Sequence, residues 1–183
     1  MKSIKSMSLK ELAAFVASHL EHHEIPVVLV GGSCVSIYTK NRYQTADLDF
    51  VERYHTQRKK LKVALALIGF TEKNRYFVHP DAVYFLEFPA GPLSVGDEPV
   101  SETNQLKTKT GVLTLLTPTD SIKDRLAAYY HWNDRQSLQQ AIWIAQSHAV
   151  DIKSIRAWSQ REGMAEKFQE FETARVKKIK GTP

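Results

Sequence analysis

The stretch VLVGGSCVSIYTKNRYQTADLDFV, residues 28–51, constrains this chain more than any other. An apolar, β-branched run over 25–30 ends in Gly31, Gly32 and Ser33. Fourteen residues after that serine comes Asp47, and Asp49 follows inside a second strand-like run, 46–52. Alternation along a strand puts residues i and i+2 on one face. Asp47 and Asp49 therefore share a face, and Leu48 and Phe50 take the other. Two like charges so placed repel each other and are costly to bury unless something positive sits between them. A hard dication such as Mg²⁺ takes one or two carboxylates and completes its shell with water and phosphate oxygens. Upstream, the glycines let an anion approach the backbone, and a helix opening there turns its N–H groups and dipole toward it. Ser33 adds a hydroxyl donor. The stretch reads as a phosphate cradle joined to a metal-binding acid pair.

The rest of the chain supplies a frame for that stretch. Ser8-Leu9-Lys10-Glu11 has the pattern of a capping box and opens a helix over about 8–24. Ser33 is expected to cap a short helix to residue 38, and a longer helix is expected over 56–68. Runs 70–78 and 82–88 read as strands around the turn His79-Pro80-Asp81. Runs 105–108 and 112–116 flank Lys109-Thr110-Gly111 as a hairpin. After Pro118 the pattern turns helical, with segments 120–132, 134–148, 151–162 and 164–178. Asp151 is the expected cap of the third and Gly163 the break before the fourth. The expected fold is α+β: a mixed β-sheet flanked by helices over 1–117, with a C-terminal helical bundle over 118–183 packed on it.

Composition narrows the partners. The 183 residues, 43% hydrophobic, suffice for one good core. The formal charge of +5 favours an anionic partner such as a nucleotide or RNA. A single cysteine, Cys34, excludes an intramolecular disulfide and suits a reducing cytosol. It reads as a small packed residue. No run approaches the roughly 20 apolar residues of a membrane span. The N-terminal MKSIKSMSLKELAAF is amphipathic and not a signal peptide. A cytoplasmic protein is expected. His19, His22 and His23 have helical spacing, but no acid or cysteine completes a metal pattern, so they read as a wet helix end.

The segment 28–51 resembles the signature of the DNA polymerase β-like nucleotidyltransferases: strand, Gly-Gly/Ser, helix, then a strand carrying Asp-x-Asp. The order of elements matches to about residue 90. The resemblance implies a third acid on a neighbouring strand. Glu87, in Tyr84-Phe85-Leu86-Glu87-Phe88-Pro89, is the natural candidate, and Asp81 in its proline turn is the competitor. Arg42 and Thr45, just before the acid pair, look like toxin-type members, with Arg42 on a phosphate and Thr45 orienting Asp47. Thr-Pro-x-Asp-x-x-Lys from Thr117 to Lys123, followed by Asp134, looks like the AbiE-type and MenT-type toxin nucleotidyltransferases. There Lys123 would meet nucleotide phosphates, with Arg125 instead of it or beside it, and Asp134 would be the following acid or merely a helix cap. The implied activity is transfer of a nucleoside monophosphate from an NTP, with Mg²⁺ or Mn²⁺ held by Asp47, Asp49 and Glu87 and phosphates by Gly31, Gly32 and Ser33. The acceptor would be RNA (a tRNA end), a protein hydroxyl or a small molecule such as an aminoglycoside. A toxin–antitoxin or phage-defence role follows from the same likeness. The rivals are an inactive nucleotide- or RNA-binding module and an antitoxin partner of this fold. The basic run 175–180 could touch RNA phosphates or be a frayed terminus.

Overall fold

The computed structural model describes residues 2–180, and side chains through residue 176. The first long helix, α1 (Leu9–His22), starts where the sequence says it should. Ser8 accepts the Glu11 N–H and the Glu11 carboxylate accepts the Ser8 N–H, closing the capping box. Then come β1 (Val27–Val30), α2 (Gly31–Tyr38), β2 (Asp47–Glu52) and α3 (Arg58–Ala66). The middle of the chain forms β3 (Thr71–Lys73), β4 (Tyr76–Val78), β5 (Phe85–Glu87), β6 (Ser94–Val95), β7 (Glu98–Pro99), β8 (Thr103–Lys107) and β9 (Val112–Leu116). Four helices follow: α4 (Pro118–Trp132), α5 (Arg135–Ser147), α6 (Ile152–Arg161) and α7 (Ala165–Lys180).

Seven strands form one mixed sheet in the order β3-β4-β5-β2-β1-β9-β8. β1 is antiparallel to β2 and parallel to β9, while β2 is parallel to β5. The edges β3-β4-β5 and β8-β9 are antiparallel. Leu48 and Phe50 are fully buried in the main core, as the alternation in β2 requires. Helix α1 packs on β1, β9 and α3. His19 is not at a wet helix end: its ring Nε2–H donates to the Ala64 carbonyl at 2.7 Å and ties α1 to α3.

Two expected elements differ, and one further pair of strands appears. The run 70–78 divides at Asn74, whose φ of +57° makes a tight turn between β3 and β4. The run 82–88 shortens to β5. The pair β6–β7, turning at Gly96 (φ +58°), was not expected, because two-residue strands carry no readable period. This small hairpin matters to the helical half. Trp158 donates its Nε1–H to the Val95 carbonyl at 3.2 Å, and Lys123 donates to Glu98 Oε1 at 2.6 Å.

The helix boundaries after Pro118 follow local chemistry. Thr117 caps α4 with Pro118 in its first turn. Asn133, in the left-handed region at φ 52°, ends α4. Asp134 and Asp151 cap α5 and α6, and Gly163 (φ +71°) breaks the chain before α7. Helix α2 packs on both α4 and α5. The basic run 175–180 falls on the last turns of α7, and its side chains from residue 177 lie outside the described residues. Among the described residues no helix is long and apolar enough to cross a membrane.

Candidate active site

The site begins where β1 becomes α2. Val30 is the N-cap of α2, and Gly31 opens the helix with φ +70°. Register places Val30 opposite Asp49. A Cβ on Gly31 would lie 2.4 Å from Asp49 Oδ2, so the acid occupies the space a side chain would need. Gly32 is similarly close to the Tyr43 ring, 3.0 Å from where its Cβ would be. Ser33 is therefore not the cap that the sequence suggested. It lies in the first turn, fully buried, and donates its hydroxyl to the Asp47 carbonyl at 2.6 Å. Ser36, one turn on, donates to the Tyr43 carbonyl at 2.6 Å. Residues i and i+3 share a helix face, so the two serines lash the loop before β2 to α2. Thr45 donates its hydroxyl to Asp47 Oδ1, which orients that carboxylate.

The parallel pairing of β2 with β5 supplies the third acid. Asp49 stands beside Glu87 and Asp47 beside Phe85. Asp47, Asp49 and Glu87 each offer a carboxylate oxygen within 4.8 Å of the other two, and all three are half-buried. Asp81 stays in the exposed turn after β4, its N–H donating to His79 Nδ1. An all-oxygen donor set suits Mg²⁺ or Mn²⁺ and not a soft metal. The electrostatics fit the same ion. Burial, then the Asp47 and Glu87 carboxylates, push the Asp49 carboxyl from its ordinary 3.8 up to about 7. The cluster is short of positive charge, which a bound dication would supply.

A carboxyl raised on folding holds more protons folded than unfolded. Its stabilising contribution is present below about pH 4 and lost as pH rises through about 7. Without divalent cation, the thermal midpoint should fall between about pH 5 and about pH 8, and Asp49→Asn should flatten that fall. The same variant should gain roughly 1–3 kcal/mol at pH 8. Melting curves at several pH values in chelator test this; a midpoint indifferent to the substitution would remove the charge strain from the account. Added Mg²⁺ should raise the wild-type midpoint more at pH 8 than at pH 5, because metal and proton compete for the carboxylates.

Two arginines border the acids. Arg125 of α4 forks onto Asp124, at 2.7 and 3.0 Å, and its charge opposes the rise at Asp49. Arg75, in the turn before β4, places Nε 3.3 Å from Glu87 Oε1 while remaining 70% exposed. Sequence reasoning missed Arg75. Its nearness to Glu87 follows from Tyr76 pairing opposite Glu87 across β4 and β5, a register that no local pattern reveals.

Lys123, Asp134 and Arg42 have other partners. Lys123 is buried, 3% exposed, with its ammonium between Glu98 Oε1 (2.6 Å) and Asp120 Oδ1 (3.5 Å). Residues two apart on a helix point to different sides, so α4 turns Arg125 toward the acids and Lys123 toward the β6–β7 hairpin. Asp134 accepts the N–H groups of Gln136 and Ser137 and the Ser137 hydroxyl. That hydroxyl holds Asp134 below the usual carboxylate range. Arg42 lies over the Trp143 ring, 4.7 Å from its centroid, and joins the loop before β2 to α5. Lys123→Met should cost about 1–3 kcal/mol, less than most broken buried pairs because Glu98 keeps Arg161. A chemical-denaturation curve superposing on wild type would rule this cross-link out. Cys34 is packed as expected; burial, reinforced by Asp124, pushes its thiol up to about 12, so it is no nucleophile at neutral pH.

No protein-family model and no curated protein sequence matches this chain. Solved structures do. A nucleotidyltransferase-like antigenic protein from Paracoccidioides brasiliensis superposes with a TM-score of 0.64 at 15% identity, over 93% of each chain. The antibiotic-resistance factor ANT(2'')-Ia superposes with a TM-score of 0.50 at 12% identity, over 95% of this chain and 97% of its own. The same factor in complex with adenylyl-2''-tobramycin gives 0.50 and 12%, over 93% and 98%. At these identities the likeness is one of fold, and the fold of this chain is that of nucleotidyltransferase-like proteins.

Proposed function

We propose that this chain is a metal-dependent nucleotidyltransferase that moves a nucleoside monophosphate from an NTP to an acceptor hydroxyl. The observation that carries the proposal is the convergence of Asp47, Asp49 and Glu87 within 4.8 Å of one another, against the glycine start of α2. Asp47, Asp49 and Glu87 would hold Mg²⁺ or Mn²⁺, which when bound neutralises charge on the transferring phosphoryl group. The backbone N–H groups at the opening of α2, beside the Asp49 carboxylate, would meet the triphosphate. Ser33 acts one step back, holding Asp47 through its carbonyl, and Thr45 orients the Asp47 carboxylate. Arg125 supplies fixed positive charge that acts on Asp49. Glu87 accepts the hydrogen bond of the acceptor hydroxyl and orients it. The acceptor oxygen then bonds to the α-phosphorus, the bond to the bridging oxygen breaks, and pyrophosphate leaves with the hydroxyl proton passing to a carboxylate.

The acceptor is the open term. RNA, a protein hydroxyl and an aminoglycoside all offer the required group, and a toxin or phage-defence role would follow from the first two. Incubation with each labelled NTP, Mg²⁺ or Mn²⁺, and these acceptors in turn tests the reading. Label transfer that requires divalent cation supports it. Nucleotide binding without transfer to any acceptor would favour the non-catalytic module.

A further inference from the structure

The acid face of the sheet does not stop at Glu87. Tyr76 pairs opposite Glu87, and Phe85 pairs beside Asp47, so both rings share the face of the acids. The rings meet edge to face, 4.6 Å between centroids, and both are half-buried. Arg75 lies over the Tyr76 ring at 4.8 Å and reaches Glu87. Across the sheet the order is Gly31, Asp49, Glu87 and Tyr76, with Arg75 in the turn just before Tyr76. Helix α2 opens at one end of that line. The aromatic pair and its cation form the other.

We infer that Tyr76, Phe85 and Arg75 are the acceptor platform, and that the acceptor is the 3′-terminal nucleotide of a single nucleic-acid strand. The inference rests on the nucleotidyltransferase reading. In-line transfer puts the attacking hydroxyl opposite the leaving pyrophosphate. With phosphates at the glycine end, the hydroxyl arrives from the Glu87 side, over these rings. The chemistry of the platform selects the acceptor. Aromatic faces stack on bases of any sequence, and an arginine beside them pairs with phosphate. Arg75 is 70% exposed, so its guanidinium can leave Glu87 for a strand phosphate at little cost. The chain's net charge of +5 acts in the same direction at longer range.

The test measures binding apart from chemistry. A short fluorescent single-stranded RNA, and the DNA of the same sequence, are titrated onto the full chain with NTP and Mg²⁺ present in the Asp47→Asn background. Arg75→Glu should weaken strand binding by at least about tenfold and lower its salt slope by about one. Tyr76→Ala should weaken it by about tenfold with the salt slope intact. Lys109→Glu, an exposed charge reversal at the opposite edge of the sheet, should change it by less than about twofold. Nucleotide binding should be unchanged in Tyr76→Ala and Lys109→Glu. Strand affinity indifferent to Arg75→Glu overturns the platform, as does transfer to an aminoglycoside or a protein hydroxyl that Arg75→Glu enhances. If Arg75 and Tyr76 govern strand binding but the parent chain transfers no nucleotide, the platform stands as a strand-binding surface and the enzymatic reading falls.

Discussion

Asp47→Asn should reduce nucleotide transfer by at least about a thousandfold while leaving the fold intact. The substitution is isosteric. The amide side chain keeps an oxygen for the Thr45 hydroxyl, and the backbone carbonyl at this position still accepts from Ser33, so the lashings of β2 to α2 survive. What disappears is one of three negative charges that lie within 4.8 Å of one another. In the apo-protein that removal relieves repulsion, so the thermal midpoint should stay level or rise slightly. Activity and stability thus move in opposite directions, a pattern that general unfolding cannot produce. The measurement is label transfer from NTP beside a thermal melt of the same preparation. Transfer within about tenfold of wild type would remove Asp47 from the reaction.

The second large effect is structural. Gly31→Ala should cost about 2–5 kcal/mol, enough to unfold a marginal domain. Two causes act at one atom. The residue has φ +70°, a conformation that L side chains rarely adopt, and the new methyl would sit 2.4 Å from Asp49 Oδ2. The causes can be separated. Asp49→Ala removes the clashing oxygen but not the backbone strain. The double variant Gly31→Ala/Asp49→Ala should therefore recover roughly half of the loss, a coupling that a double-mutant cycle reads from denaturation midpoints. Strictly additive effects would mean that Gly31 and Asp49 do not press on each other. The cycle matters for function because the same contact seats the helix opening against the acid pair.

Local pattern made much of this architecture readable. The capping box at Ser8, the caps at Asp134 and Asp151, and the break at Gly163 all stand where their residue types require. Alternation in β2 was enough to put Asp47 and Asp49 on one face and Leu48 and Phe50 in the core. Residue chemistry could not rank the cations. Lys123, two positions from Arg125, drew attention as a phosphate ligand, but helical rotation sends it to Glu98 and leaves Arg125 facing the acids. Ser33 directs its hydroxyl to the Asp47 carbonyl and not to a helix cap, because that direction depends on where β2 passes.

Periodicity, capping and turn chemistry act over a few residues, so the chain alone declared its helices, its longer strands and its acid pair. Pairing between strands far apart in sequence depends on the whole hydrophobic surface being buried at once. Only the assembled sheet set β5 parallel to β2, which brings the Glu87 carboxylate within 4.8 Å of Asp47 and Asp49 and leaves Asp81 in its turn. Only that sheet brought Arg75 and Tyr76 beside Glu87, at the end of a line that starts at Gly31.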